Sequence, residues 1–285
     1  MACAADSCSP SPPRETAPPA PIILAGAEAL QPLLRSEVLA FRDRYPQAAG
    51  IRIVENGSAE GMEQLVNGDV AMSVLTRELT DPEVKAAVSR AGLNAYTVAW
   101  DAVAVIVHPS CSVQQISRTE LGEIYAGTLS QWSRLGWKSG GTIYPLTTGP
   151  QMGLYEYVRQ TLLNGGEYGK GVYAQKNEQD IVRIVATRPG TIGLVSRSLA
   201  DDRVRALSVS EAIGLPYTDL SRETLILKKY PLLRSISLCT AKDPPATAAD
   251  FINFVSSLDG QEIVARHGYA PATVPIRIVR TSEEE

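Results

Sequence analysis

From Pro21 onward, short apolar runs alternate with longer stretches in which apolar residues recur every three or four positions, and this alternation narrows the available folds more than any other feature. Short runs fit strands covered on both faces, and the longer periods fit helices, so the pattern predicts an α/β protein. Ile22-Ile23-Leu24 reads as a first strand. Gly26 turns the chain into a helix with Leu30, Leu33, Leu34, Val38 and Phe41 on one side, and Ile51–Val54 reads as a second strand. Gly61 to Val66 reads as a short helix and Val70 to Leu75 as a third strand.

Val98 to Val107 is a β-prone run longer than a strand in a compact lobe usually is, and it reads as a crossover between two lobes. Ser117-Arg118-Thr119-Glu120 is a capping box that starts a helix ending near Gly127. Further helices are predicted through Tyr155, Val158 and Leu162 and through Ile181, Ile184 and Val185, with a strand at Ile192–Val195. Ile236-Ser237-Leu238-Cys239 reads as the return crossover. After Pro244-Pro245, a helix is predicted with Phe251, Phe254, Val255 and Leu258 on its inner face. The expected division is a Pro/Ser-rich tether over 1–20, lobe I over 21–107 and 238–280, lobe II over 108–237, and a frayed acidic tail over 281–285.

A chain of 285 residues has room for two lobes. A formal net charge of −4 argues against a nucleic-acid partner, which needs a basic face. The nearest basic group, Lys228-Lys229 with Arg234, reads as a solvated strand end. No apolar run is long enough to span a bilayer. His108 and His267 share no metal-ligand spacing, Gly165–Gly171 lacks the spacing of a phosphate-binding P-loop, and Ser58 lies outside a hydrolase elbow, so neither an enzyme nor a cofactor is expected. Cys111 and Cys239 fall at the ends of the two crossovers, where a disulfide in an oxidising compartment and two unpaired small residues are both open readings.

Several segments in chain order resemble those of bacterial periplasmic phosphate-binding proteins. They are Ala25–Leu33, Asn56–Gly61, Thr76-Arg77-Glu78-Leu79, Asp101–Pro109, Ile124-Tyr125-Ala126-Gly127 with Trp132, Pro189–Gly193, and Gly260–Val264 with Gly268–Pro271. The resemblance implies the two-lobed type II fold, each lobe a mixed β-sheet flanked by helices, joined by two crossover strands. It implies an extracytoplasmic, monomeric solute-binding protein of the phosphate-import kind that meets an ABC permease. Its ligand positions would fall on Ala27, Glu28, Ala29, Ser58, Thr76, Arg77, Thr148, Gly153 and Leu154. The start of the chain resembles that of a mature bacterial lipoprotein, with Cys3 as candidate anchor to a periplasmic or cell-surface membrane and Met1 in place of a leader. An unstructured N-terminus is the equal alternative.

Two loops depart from the family pattern. Glu28 stands where the family places a hydroxyl, and two unit charges ~4 Å apart at an effective dielectric of ~20 repel by about 4 kcal/mol, about a thousandfold in affinity for phosphate. In Thr148-Gly149-Pro150-Gln151-Met152-Gly153-Leu154 the family's arginine, serine and threonine become Thr148, Met152 and Leu154. Either the cleft takes a small solute or oxyanion other than phosphate, with Met152 and Leu154 for apolar contact and Arg77 with Glu28 as polar ends, or the fold serves as a sensor or protein-interaction module. A third expectation is that Glu28 itself caps a helix N-terminus at the anion position.

Overall fold

Ile22-Ile23-Leu24-Ala25 is too short for a helix and β-branched at its start, and it forms strand β1 (Ile22–Gly26). The computed structural model describes residues 21–272 except Ala27 and Ala91, with the side chains of Glu28 and of residues 87–90 also undescribed. The expectations for the 1–20 tether with Cys3, for Ala27, for the Glu28 carboxylate and for the 281–285 tail therefore lie outside the described residues.

After β1 come α1 (Gln31–Arg44), β2 (Ile51–Val54), α2 (Ser58–Asn67), β3 (Met72–Leu75), α3 (Asp81–Arg90) and the long β4 (Leu93–Val107). The middle of the chain holds β5 (Gln115–Ser117), α4 (Arg118–Ala126), β6 (Tyr144–Thr148), α5 (Gly153–Leu162), β7 (Tyr173–Gln175), α6 (Glu178–Thr187) and β8 (Thr191–Ser196). Then follow β9 (Arg205–Ala206), β10 (Ser208–Ser210), α7 (Arg222–Ile226), β11 (Leu233–Ala241), α8 (Ala246–Ser256), α9 (Leu258–Arg266) and β12 (Ala270–Pro271).

The main strand order is β2-β1-β3-β11-β4-β8-β6-β7, and β5 pairs separately with β10. β1 runs parallel to β2 and β3, and β6 parallel to β8 and β7, while β4 and β11 run antiparallel to their neighbours. These two are the crossover strands. Up to Ala102, β4 pairs with β11, and from Val103 it pairs with β8, so the change of sheet falls inside the strand. The first lobe's core gathers Leu24, Leu33, Phe41, Val74, Ile236 and Phe251. The second gathers Val105, Ile124, Trp132, Val158, Ile181 and Leu194. Two of its buried polar tips are satisfied: Trp132 Nε1–H donates to Gly190 O at 2.9 Å and Tyr125 O–H to Leu146 O at 2.9 Å.

Two expectations are corrected, and of the two open readings for the cysteines the structure has the unpaired one. The Phe251 helix stops at Ser256, and Ser257, whose Oγ accepts from Gly260 N–H, starts α9, which leaves Leu258 41% exposed instead of on the inner face. Cys111 and Cys239 are both free and buried in different cores. Cys239 stands opposite Ala95, and ~40 Å of strand, at ~3.3 Å per residue, separates Ala95 from Val107, beyond which Cys111 lies. Antiparallel crossovers put the two cysteines at opposite ends. Arg234 is no solvated strand end, because its side chain is 0% exposed.

Candidate functional site

Helices α2, α5 and α6 all begin at the space between the lobes. Gly57 and Met152, the N-cap residues of α2 and α5, supply no side-chain cap, so the first N–H groups of these helices face the cleft without one. Ala59 N–H instead reaches across the cleft to Gln151 O at 3.4 Å. α6 is capped by Asn177, whose Oδ1 accepts from Asp180 N–H at 2.8 Å. Ala29, Gly57, Ser58 and Thr76 line the pocket from the first lobe, and Thr148, Met152, Gly153 and Asn177-Glu178-Gln179 line it from the second.

Ser58 and Thr76 are buried side by side, with Thr76 N–H donating to Ser58 Oγ at 3.3 Å. Thr148 is wholly buried, and its Oγ1 has no hydrogen-bond partner among the described residues. The cavity is only ≈ 20 Å³, room for about one water. Glycines allow this closeness. A Cβ on Gly153 would overlap Thr76 Oγ1 and crowd Ser58 Oγ, and one on Gly57 would overlap Gln151 O.

The structure thus brings Ala29, Ser58, Thr76, Thr148 and Gly153 into one pocket and leaves two expected residues out of it. Leu154 is 1% exposed in the second lobe's core, because the turn of α5 that aims Gly153 at the cleft aims its neighbour inward. Arg77 is committed to α3: its Nη1 and Nη2 donate to the two Glu83 oxygens at 2.7 and 2.6 Å, and Nη1 also to Glu78 O at 2.9 Å. Burial alone would raise the Glu83 carboxyl, but the Arg77 fork and Thr80 N–H outweigh it and hold it below the usual range.

A second arginine stands behind the cleft. Arg234, from β11, donates through Nε to Asp101 Oδ2 of β4 at 2.9 Å, with Nη2 ion-paired to the same oxygen at 2.8 Å, and donates through Nη2 to Glu178 Oε1 at 3.1 Å. Glu178 Oε2 accepts from Ser196 N–H at 2.5 Å, and Ser196 Oγ donates to Asp101 at 2.9 Å. Burial works against the Arg234 charge, but the Glu178 and Asp101 carboxylates more than offset it and raise its pKa. Burial also raises the Asp101 carboxyl, against the pull of Arg234. Among the described residues, no group of His, Cys, Asp and Glu is placed to hold a metal ion.

A family model described as PBP superfamily domain matches residues 11–258. The chain belongs to the PBP superfamily. Phosphate-binding protein PstS of Bacillus subtilis (strain 168) is 27% identical over 260 residues, which span 88% of this chain and 81% of the relative. Among solved structures, a candidate phosphate ABC transporter substrate-binding protein of Clostridium perfringens with bound phosphate matches with a TM-score of 0.76 at 22% identity, over 89% of this chain and 100% of that one. An ABC-type phosphate transport receptor from Vibrio cholerae matches at 0.72 and 19%, over 87% and 99%. These relatives agree with the resemblance read from the sequence, and the two-lobed type II fold is shared.

Within this PBP-superfamily cleft, sequence reasoning missed Gly57 and Asn177-Glu178-Gln179 as wall residues. The signal for the latter was present: Asn177 with Asp180, ahead of Ile181 and Val182, is an N-cap pattern, and helix N-termini are where such clefts take their donors. His108 makes a local contact with Ser110 Oγ at 2.8 Å, and His267 of the C-terminal part meets Ser36 Oγ of α1 at 2.9 Å.

Proposed function

We propose that the protein is the extracytoplasmic solute-binding component of an ABC importer of the phosphate-import kind, and that its interlobe cleft takes a small oxygen-bearing solute. The observation that carries this is the convergence of the uncapped N-termini of α2 and α5 on Ser58, Thr76 and the unpartnered Thr148 hydroxyl. Backbone N–H groups at helix starts and short hydroxyls are donors for oxygen acceptors. The relatives named for phosphate support the transport class. They do not carry over the charge: both arginines near the cleft, Arg77 and Arg234, are held by carboxylates, so phosphate binds weakly.

The cavity of ≈ 20 Å³ means that a solute enters only when the lobes separate. That tightness favours a second reading, a fold kept shut as a sensor or protein-interaction module. Calorimetric titration of unfolded and refolded protein with phosphate, sulfate and small carboxylates separates the two. Binding of one of these, with phosphate weaker than micromolar, supports solute capture, and silence towards all of them supports the second reading. Phosphate binding at micromolar affinity or tighter would contradict the weak-phosphate reading.

A further inference from the structure

We infer that Glu178 is an anion built into the chain, filling the donor set that a bound oxyanion would otherwise take and setting the cleft against multiply charged solutes. The inference rests on the proposed cleft function. Glu178 is the first residue of α6, lines the cleft between Asn177 and Gln179, and has a side chain 7% exposed. One of its oxygens holds Ser196 N–H at the end of β8, and the other holds the Arg234 guanidinium. A guanidinium, a backbone N–H and a helix N-terminus together are the donors that bind oxyanions elsewhere. Here Glu178 occupies the first two, and Asn177 caps the helix start beside it.

The charges do not balance. Two buried carboxylates, Asp101 and Glu178, share one arginine, and with both ionised the group carries one negative charge in excess behind the wall of the cleft. Arg234 Nη1 is buried and has no hydrogen-bond partner among the described residues, so the guanidinium retains capacity for a further acceptor. A dianion beside this wall is repelled, whereas a neutral or singly charged oxygen-bearing solute is repelled less or not at all. Glu178 is on this argument a specificity-determining residue.

Two variants of the full chain test it by calorimetry against the wild type. Glu178→Gln keeps the shape and removes the charge, and it is expected to bind phosphate at least ~10-fold more tightly. Glu178→Ala opens space against Arg234 and Ser196 and is expected to gain formate binding, with a Tm that rises more steeply with formate concentration than the wild-type Tm does. Folded E178Q that binds phosphate no more tightly than the wild type, or folded E178A with no gain in formate binding, overturns the inference. If E178A does not fold, E178Q alone decides. The cleft reading fails by a different result, the silence of the wild type towards every solute of the panel, which the formate gain in E178A does not depend on.

Discussion

Glu37 lies on the core side of α1, 1% exposed, and neither carboxyl oxygen has a hydrogen-bond partner among the described residues. Burial pushes its pKa up to about 8, against the attraction of Arg266. The folded chain keeps a proton that the unfolded chain releases from about 4.5, so this group's contribution to stability declines as pH rises from 4.5 to about 8 and then levels off. Glu37→Gln removes the decline, worth on the order of 4 kcal/mol between pH 4.5 and 8.5. Urea unfolding at both pH values checks it, and equal pH slopes in wild type and variant would contradict it. At this scale the sequence showed Ser58, Thr76 and Gly153 through their loops. It hid the commitments of Arg77 and Arg234, because Glu83 reaches Arg77 only once the turn into α3 forms, and Asp101 and Glu178 meet Arg234 only through tertiary contact.

Ser117 is the clearest element signal. Its Oγ accepts from Glu120 N–H at 3.1 Å, Glu120 Oε2 accepts from Ser117 N–H at 2.8 Å, and Gly127 closes α4 in the left-handed region at φ 81°. Ser117→Ala is expected to cost about 1 kcal/mol in denaturant unfolding, and an unchanged midpoint would contradict the capping account. β2 was legible to the residue for a related reason: a short β-branched run with Asn56-Gly57 close behind it leaves little choice of boundary. α3 was not, because Pro82 and scattered charges give it no apolar stripe. Nor was β6, where Pro145 argues against a strand between two neighbours, yet the strand forms there between β8 and β7.

For the whole molecule, the alternation of runs and periods carried the fold class, and the length of Val98–Val107 carried the crossover. The point of crossing was invisible, since a continuous β-run bears no mark where its partners change. Arg234 and Asp101 sit at that point, with Glu178 reaching them from α6. Arg234→Met would strand two buried carboxylates and cost about 3–5 kcal/mol by denaturant unfolding. A cost below about 1 kcal/mol would mean that the triad is not closed in solution.

The cleft itself is tested most directly by amide chemical shifts of the isotope-labelled protein titrated with phosphate, sulfate and acetate, a measurement that also reads weak binding. The account predicts that the largest changes fall on Ser58–Glu60 and Gly153–Tyr155, the first turns of α2 and α5. Changes that leave both turns unmoved while other surfaces respond, or no change with any of the three, would contradict it.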